Sequence, residues 1–309
     1  MNLTASVPLN GVTPPLQHLG VIRVLGEDAA SFLHGQLTQD FALQKPEQAR
    51  LAAFLTAKGR MQATFVGIKR SSTEILLICS RDLLPPTLKR LSMFVMRAKA
   101  KLTDASEEFV VAGLAGDAAR AALPADSAAW TVATQGDASV VQLYPAQGQA
   151  RALWVAPVGT PAPAGEPLSE ELWNWSEVVS GVATLTTPIV EAFVPQMINY
   201  ESIGGVNFKK GCYPGQEIVA RSQFRGTLKR RAYVVHADTE LTVGAEVFSA
   251  NDAEQPVGTV VQSAKAPNGG VDAIVSLQIA SVGEPLRAGS VDGAQLEVPA
   301  LPYELLEDI

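Results

Sequence analysis

The sequence predicts an α+β fold that closes with a small β-barrel. Three observations support this prediction: strand and helix patterns alternate over the first hundred residues, the pattern partly repeats from residue 108, and short strand patterns dominate after residue 228. Several short strands separated by turn signals are typical of a barrel or sandwich. At 309 residues the chain is also long enough for two or three domains.

The first hundred residues have the pattern of a ferredoxin-like unit with one additional strand. The strand pattern VIRVLG, residues 21–26, precedes apolar residues at helical spacing between positions 29 and 37. Two further strand patterns flank the Lys58-Gly59 turn, and a third ends in ILLICS. A helix pattern over residues 85–99 begins with two prolines, where a missing N–H is tolerated. AKLTDAS completes the order strand, helix, strand, strand, strand, helix, strand.

The region from residue 108 to residue 181 repeats part of this pattern. EFVVAGLAG is a strand pattern, DAARAAL a short helix and SVVQLYPAQGQARALWVAP a hairpin. The Pro- and Gly-rich residues 158–171 read as a linker or surface loop. An amphipathic helix should follow, with Ser169 as its N-cap and Gly181 as its stop.

Strand patterns dominate from about Lys229 and set the domain division. RAYVVHA, PVGTVVQSA and VDAIVSLQI are the longest of them. We therefore predict one region over residues 1–228, built from two interleaved α+β modules, and a C-terminal β-barrel over residues 229–309.

Charge and composition exclude several classes of protein. The formal net charge of −7 argues against a protein whose main function is to bind the phosphate backbone of nucleic acids, so we expect no direct binding of nucleic acid. The longest apolar runs, such as ILLIC at 75–79, fall far short of the ~20 residues that span a bilayer. Two cysteines outside any CxxC pair favour a reducing compartment, and no secretory signal is visible. We expect a cytoplasmic protein without a membrane partner.

Common catalytic motifs are absent from the sequence. There is no phosphate loop, GxSxG elbow, HExxH pair or calcium loop. His18, His34 and His236 lack ligand-like spacing, so we predict no metal site. Cys79 lies in an apolar strand pattern and should be a small buried hydrophobic residue.

Cys212 lies in the most basic, turn-forming part of this acidic chain, FKKGCYPGQEIVAR. Two lysines precede it, and a neighbouring cation favours the thiolate over the thiol. A Pro-Gly turn follows, and QEIVARSQF has the pattern of a helix start, whose positive end Glu217 suits. The alternative is a tight turn with an incidental cysteine, but the setting favours a reachable, activated thiol.

Trp173 and Trp175 belong to the helix that precedes this stretch. Because they lie two positions apart, they cannot share one helical face. We expect one to pack in the core and the other to reach a cleft. Core packing is the default for both, although a planar ring that lines a pocket is also what a pterin would stack on.

Residues 193–226, FVPQMINYESIGGVNFKKGCYPGQEIVARSQFRG, resemble the signature of the YgfZ family of folate-binding proteins, PQxxN…GG(I/V)xFxKGCYxGQExVAR. Weaker similarity extends to VLGEDAASFLHGQLTQD, the AKGRM turn and the GTVVQS strand. The resemblance implies the fold of the aminomethyltransferase (T-protein, GcvT) of the glycine cleavage system. In that fold, ferredoxin-like modules and a C-terminal β-barrel form a three-module ring around a central folate site.

The resemblance also implies a function and a set of site residues. Family members bind tetrahydrofolates and support assembly or repair of iron–sulfur clusters, which sustains enzymes such as the MiaB methylthiotransferase that acts on tRNA. The implied partners are therefore a folate and iron–sulfur proteins. By motif position, the implied catalytic residues are Cys212, Lys210, Gln216 and Glu217. The implied cofactor-binding residues are Trp173, Gln196, Asn199, Tyr213 and Arg221.

The chain differs from the bacterial pattern at two places. Leu19 stands where a second folate-associated tryptophan is expected, and Val179 stands where folate-binding relatives carry a glutamate that contacts the pterin. Glu177, one helical step away, is the candidate replacement. No counterpart of the catalytic aspartate of true aminomethyltransferases is found, which argues against glycine-cleavage activity.

The leading hypothesis is a folate-dependent accessory protein of iron–sulfur metabolism, with Cys212 acting near a bound tetrahydrofolate. Its chemistry stays open among capture of a one-carbon unit, thiol redox exchange, and transient binding of a cluster or persulfide. The enzymatic alternative is a folate-dependent one-carbon transferase or demethylase on a small amine, with Glu177 or Glu201 as base. A third possibility is a scaffold that only docks partner proteins.

Overall fold

The computed structural model describes residues 7–306, which form three β-sheets and five α-helices. The strands are β1 Gly11–Val12, β2 Leu19–Leu25, β3 Arg50–Leu55, β4 Met61–Lys69, β5 Glu74–Ser80, β6 Lys101–Asp104, β7 Phe109–Ala115, β8 Val132–Gln135, β9 Ala138–Gln142, β10 Arg151–Pro157, β11 Arg230–Ala237, β12 Glu246–Ser249, β13 Asp252–Lys265, β14 Val271–Gln278, β15 Leu286–Ala288 and β16 Gln295–Leu296. The α-helices are α1 Ala29–Gln36, α2 Leu84–Ser92, α3 Asp117–Ala122, α4 Glu170–Val179 and α5 Gln216–Phe224. No helix in this part of the chain is both long and apolar enough to cross a membrane.

The first sheet has the strand order β3-β4-β5-β2-β6, with antiparallel pairing throughout. Its elements follow one another as strand, helix, strand, strand, strand, helix, strand, so the predicted order is confirmed. Gly59 turns the chain between β3 and β4 with a φ of 72°, a conformation that favours glycine. Helices α1 and α2 bury their apolar residues against one face of this sheet.

The second helix is shorter than its sequence pattern. The prolines do occupy its first turn, but the helix ends at Ser92 rather than near residue 99. The next residues form successive tight turns, and Met96 takes a positive φ of 40°. Met93, Phe94 and Met96 are exposed there and only Val95 and Ala98 pack partly against the core, so little apolar contact sustains a further helical turn.

The second sheet has the strand order β1-β7-β10-β9-β8. The predicted strand, short helix and hairpin between residues 108 and 157 are confirmed. Strands β1 and β8 were not predicted, because each is only a few residues long. Gly136, with a φ of 58°, closes the β8–β9 hairpin. Residues 158–167 run along the surface towards α4.

A shared core joins the two sheets through helix α4. Ser169 caps α4 by accepting a hydrogen bond from the Leu172 amide, as predicted. Trp173 and Trp175 of this helix belong to one hydrophobic cluster with residues of both sheets, including Ile78 and Val155. Helix α4 therefore packs against both sheets and fixes their relative position.

Strands β11 to β16 form a third sheet, in the order β11-β14-β13-β12-β15-β16. This sheet curls into a half-barrel, and one bridge between His236 and Glu297 brings its two edges together. The Trp175 indole N–H donates to Asp272 of β14 at 2.6 Å, which ties α4 to the third sheet. The division at residue 228 stays a prediction.

Candidate functional site

A cleft opens between the first two sheets near the end of α4, and the empty space in it and at its mouth, open solvent included, is about 570 Å³. Strands β3, β4 and β5 form one wall, and residues of the second sheet with the segment after α4 form the other. Most of the lining is aliphatic or aromatic. Arg151 and Glu177 are its two charged side chains.

Arg151 is the most unusual residue of the cleft. Only 2% of the residue is exposed, and its guanidinium lies 4.5 Å from the centre of the Trp173 ring. Burial lowers the pKa of Arg151 to about 10, against an opposing effect of Glu177, so the group stays charged at neutral pH. Its Nη1 donates to the Tyr144 carbonyl at 3.4 Å, while its Nε has no acceptor among the described residues.

Trp173 lies behind Arg151 rather than in the cleft. The indole is fully buried, and it packs so closely on Gly113 that a Cβ there would lie 2.4 Å from the ring. Trp173 is not among the residues that line the cleft. Trp175 is buried as well and does not line the cleft, so both tryptophans pack in the core and the expectation that one of them reaches this cleft is wrong. The role of Trp173 in holding a folate stays a prediction.

Glu177 faces the cleft beside His18. The His18 Nε2 lies 3.7 Å from the Glu177 carboxylate, and its Nδ1 lies 3.2 Å from Glu170. Burial lowers the pKa of His18, but the two carboxylates raise it by more, so the net shift is upward. Leu19, where bacterial relatives are expected to carry tryptophan, packs in the apolar core next to this group.

An aromatic wall closes the other side of the cleft. Trp130 and Tyr144 line it, with ring centres 5.9 Å apart, and Tyr303 stands edge-on to Tyr144 at 5.7 Å. The Trp130 indole donates to the Ile203 carbonyl, and the Tyr303 hydroxyl donates to the Gly181 carbonyl. These bonds hold the rings in fixed orientations. Cys79 also borders the cleft and is buried as predicted; burial raises the pKa of its thiol.

The predicted polar residues Gln196 and Asn199 make structural contacts. Gln196 donates to the Val219 carbonyl at 2.8 Å, which anchors α5. Asn199 exchanges two hydrogen bonds with the backbone of Ala232 and so fixes strand β11. Neither residue is found in the cleft lining, and their contact with a folate stays a prediction.

The cysteine motif, residues 208–221, contributes no residue to the lining of the cleft. Lys210 donates to the carbonyls of His34, Leu37 and Gly211 and lies 4.4 Å from the centre of the Tyr213 ring. Burial lowers the pKa of Lys210 to about 8. Cys212 is exposed near this buried ammonium group. Its electrostatic effect, like that of Asp40, raises the pKa of Lys210 against the larger effect of burial.

Helix α5 begins at Gln216, as its sequence pattern predicts. Gly215 precedes it with a φ of 81° and packs on the β3–β4 turn, where a Cβ would lie 2.5 Å from the Thr56 carbonyl oxygen. Glu217 and Arg221 are exposed on the helix, and Gln216 is half-buried. The motif thus presents the Cys212 thiol and the side chains of Glu217 and Arg221 on the outside of the molecule, while Lys210 is buried.

The lining of the cleft contains no residue of the cysteine motif. Tyr213 of the motif packs in the same hydrophobic cluster as Leu51 and Tyr200, which line the cleft. The predicted action of Cys212 near a bound folate stays a prediction. No group of His, Cys, Asp and Glu in residues 7–306 could hold a metal ion.

Arg151 and Tyr144 were missed by the sequence analysis. The one available signal for Arg151 was a single charge at the start of an otherwise apolar strand, RALWVAP. Tyr144 and Trp130 lie in connecting segments with no pattern of their own. They reach the cleft only through the pairing of the second sheet.

The fold defines the class of protein. The structure is similar to the aminomethyltransferase T of the glycine cleavage system from Bartonella henselae, with a TM-score of 0.67 over 95% of this chain and 86% of that one. At 16% identity this likeness concerns the fold, and it confirms the predicted fold class. A scan of protein-family models finds no match.

Sequence comparison gives the family. The chain is 30% identical to the tRNA-modifying protein YgfZ of Shigella sonnei over 322 residues, which covers 98% of this chain and 96% of the relative. The proteins of that name from Edwardsiella ictaluri and Colwellia psychrerythraea are 29% and 31% identical, over 91% and 73% of this chain and 89% and 71% of the relatives. The chain belongs to the YgfZ family.

Proposed function

We propose that this protein binds a tetrahydrofolate in the central cleft and supports tRNA modification through iron–sulfur cluster assembly or repair. The observation that carries the proposal is Arg151, a buried charged group in the wall of a largely apolar cleft, whose guanidinium makes one hydrogen bond, at 3.4 Å, among the described residues. Buried charges in folded proteins nearly always have partners, so such a group is typical of a site that a ligand completes. The tRNA-modifying name of the relatives supports the same assignment.

The lining of the cleft has the chemistry that binds a pteridine ring. Trp130, Tyr144 and aliphatic side chains offer apolar surfaces, while Arg151 and Glu177 offer a donor and an acceptor. A tetrahydrofolate, when bound, supplies one-carbon carrier chemistry. The likeness to an aminomethyltransferase fold supports this ligand class.

Cys212 is proposed to act on a partner rather than on the folate. Its thiol is exposed, and no residue of its motif lines the cleft. This placement favours thiol redox exchange, or transient binding of a cluster or persulfide, over capture of a one-carbon unit from the folate. The proposed partners are iron–sulfur proteins such as a MiaB-like methylthiotransferase, without direct contact to nucleic acid.

Genetic complementation tests the role of the thiol. In a strain that lacks the gene, the wild-type chain should restore the methylthiolated tRNA bases, whereas Cys212→Ala should not. Cys79→Ala is the matched control, since it removes the other cysteine. Full complementation by Cys212→Ala would support the scaffold hypothesis instead.

A one-carbon transferase acting on a small amine remains the second candidate, because Glu177 places a carboxylate in the cleft. Glu201 is less suited as a base, since it is buried in an ion pair with Arg231 and does not line the cleft. Incubation with tetrahydrofolate and small aminomethyl or methylamine compounds tests this activity. Turnover by the wild-type protein that Glu177→Gln abolishes would establish it.

A further inference from the structure

We propose that a groove beside helix α2 docks an acidic, amphipathic segment of a partner protein. An apolar side chain of that segment fills the groove, and its carboxylates pair with Lys89 and Arg90, which line it. The α2 groove lies between one face of the helix and residues 187–190. It shares no lining residue with the central cleft, so the inference does not depend on a folate in that cleft.

The α2 groove is open, and its exposed lining is mostly apolar. The empty space in it and at its mouth, open solvent included, is about 1010 Å³. Phe54 and Leu83 of the lining are buried, whereas Met93 and Val190 are 62% and 37% exposed. Apolar surface is therefore left open to solvent in a recess that has room for a side chain of a partner.

The exposed apolar surface continues past the end of α2. Phe94 and Met96 follow Met93 in the chain and are 43% and 87% exposed. Single exposed apolar side chains are ordinary on protein surfaces, but a group of them beside a groove marks an interaction site. This group also explains why the helix ends early, since these residues do not pack on the core.

The same stretch of chain is basic in a protein that is acidic as a whole. Residues 83–101 contain no Asp or Glu, although the net charge of the chain is −7. The cationic residues of the stretch are Lys89, Arg90, Arg97, Lys99 and Lys101. Of these, only Lys99 has a carboxylate partner in the described part of the chain, Glu27 at 2.8 Å. The local charge is thus complementary to an acidic partner.

Lys89 and Arg90 differ in this respect from other cations on the surface of the molecule. Arg81 and Arg120, for example, lie within hydrogen-bonding distance of a carboxylate. Asp82 is the one carboxylate in the groove lining, and its two oxygens accept hydrogen bonds from the Ser80 hydroxyl and the Thr187 amide. Both cations of the groove can therefore pair with carboxylates of a partner without breaking an ion pair among the described residues.

These features favour a peptide segment over other partners. An amphipathic segment in a groove gains affinity from its buried apolar anchors, and its charges set the orientation. Nucleic acid needs cations spread along a phosphate backbone, whereas only two line this apolar groove. A lipid surface is bound best by a protruding apolar face, whereas part of the apolar surface here is recessed between α2 and residues 187–190.

Selection of peptides on the full chain tests the proposal. Short random peptides displayed on phage are selected on the wild-type protein, and the enriched ones are synthesised with a fluorescein label. They should be rich in Asp and Glu and carry Leu or Phe. Fluorescence anisotropy should show affinity at least ~10-fold weaker for Lys89→Glu/Arg90→Glu and for Val190→Asp, because these changes remove the charge and the apolar contact separately.

A double variant with the same change of net charge is the matched control. Lys45→Glu/Lys229→Glu alters two exposed lysines outside the groove and should keep the affinity of the wild-type protein. All the altered positions are exposed, so each variant is expected to fold. Equal weakening in the control and in Lys89→Glu/Arg90→Glu would show that net charge, and not the groove, binds the peptides, and would overturn the proposal.

Other occupants give different results. Failure to enrich acidic peptides would overturn the proposal, as would enriched peptides that bind Lys89→Glu/Arg90→Glu as tightly as the wild-type protein. Binding of phosphatidylglycerol vesicles or of single-stranded RNA in place of peptides, lost in Lys89→Glu/Arg90→Glu, would assign the surface to lipid or nucleic acid instead. Self-association in sedimentation experiments that the same variant abolishes would assign it to a second copy of the chain.

Discussion

The pairing of Arg151 with Trp173 changes what the tryptophan does. The Trp173 ring lies beneath a buried guanidinium, which it supports through its π face. A buried cation in the wall of an apolar cleft, with a carboxylate in the same lining, has the features of a recognition group rather than of a packing group. At the residue scale, we therefore expect Arg151 and Glu177 to decide binding in the proposed ligand site.

His18 offers a pH-dependent test of the electrostatics around Glu177. Its pKa is raised on folding, so its contribution to stability is present in full below its unfolded pKa of about 6.5 and is lost as the pH rises through the folded pKa. Because the side chain is 35% exposed, solvent screening keeps the effect small.

We expect His18→Gln to lower the free energy of unfolding by roughly 0.5 kcal/mol near pH ~5.5 and not near pH ~8.5. Urea denaturation at the two pH values measures the difference. An equal loss at both values would show that His18 acts by packing and not by charge.

The sequence identifies the cysteine motif but not the cleft, and the reason is locality. Lys210, Cys212 and Gly215 lie within six consecutive positions, so their turn and helix start can be read directly. Arg151, Tyr144 and Tyr303 come together only through strand pairing and a returning C-terminal segment. No pattern within one stretch of the sequence predicts that these three side chains lie close together.

At the element scale, the start of α5 depends on two glycines that touch. Gly215 has a positive φ, and its Cα faces Gly59 of the β3–β4 turn, where an added Cβ would lie 2.8 Å from the Gly59 Cα. The turn at Lys58-Gly59 and the start of α5 at Gln216, which were predicted independently, therefore pack directly against each other.

Gly215→Ala should destabilise the protein by about 2 kcal/mol or more, since it adds both a steric clash and a strained φ. Urea denaturation measures this loss, and faster labelling of Cys212 by a bulky maleimide should accompany it. Gly226→Ala is the matched control at the other end of α5, because its nearest neighbour would lie 3.4 Å away and its φ is not in the left-handed region. Similar losses in both variants would contradict the interface.

Element boundaries were predicted best where capping residues mark them. Ser169 and Gly181 gave the limits of α4 because a cap and a stop have local signatures. The early end of α2 has no such signature, since residues 93–99 keep an apolar pattern and only the tertiary structure leaves them exposed.

At the scale of the whole molecule, the third sheet is bound to the rest through buried contacts. Trp175 donates to Asp272, Asn199 pairs with Ala232, and Tyr303 returns to pack beside Tyr144. The sequence predicted where these strands begin. It could not reveal that the C-terminal segment helps to brace the aromatic wall of the cleft.

These contacts predict a single unfolding transition despite the predicted division at residue 228. All four tryptophans precede that position, so their fluorescence reports on the first two sheets. A cysteine introduced at buried Val260, in a background that carries Cys79→Ala and Cys212→Ala, reports on the third sheet through thiol labelling. The two urea midpoints should coincide. Earlier labelling at position 260 would show that the third sheet opens independently.

The central proposal is that a tetrahydrofolate binds in the cleft that Arg151 lines, and titration with tetrahydrofolate tests it most directly. Affinity should be unchanged in Cys212→Ala and at least ~10-fold weaker in Arg151→Met, since Arg151 lines the cleft and no residue of the cysteine motif does. Loss of binding in Cys212→Ala, with full affinity kept in Arg151→Met, would contradict the account.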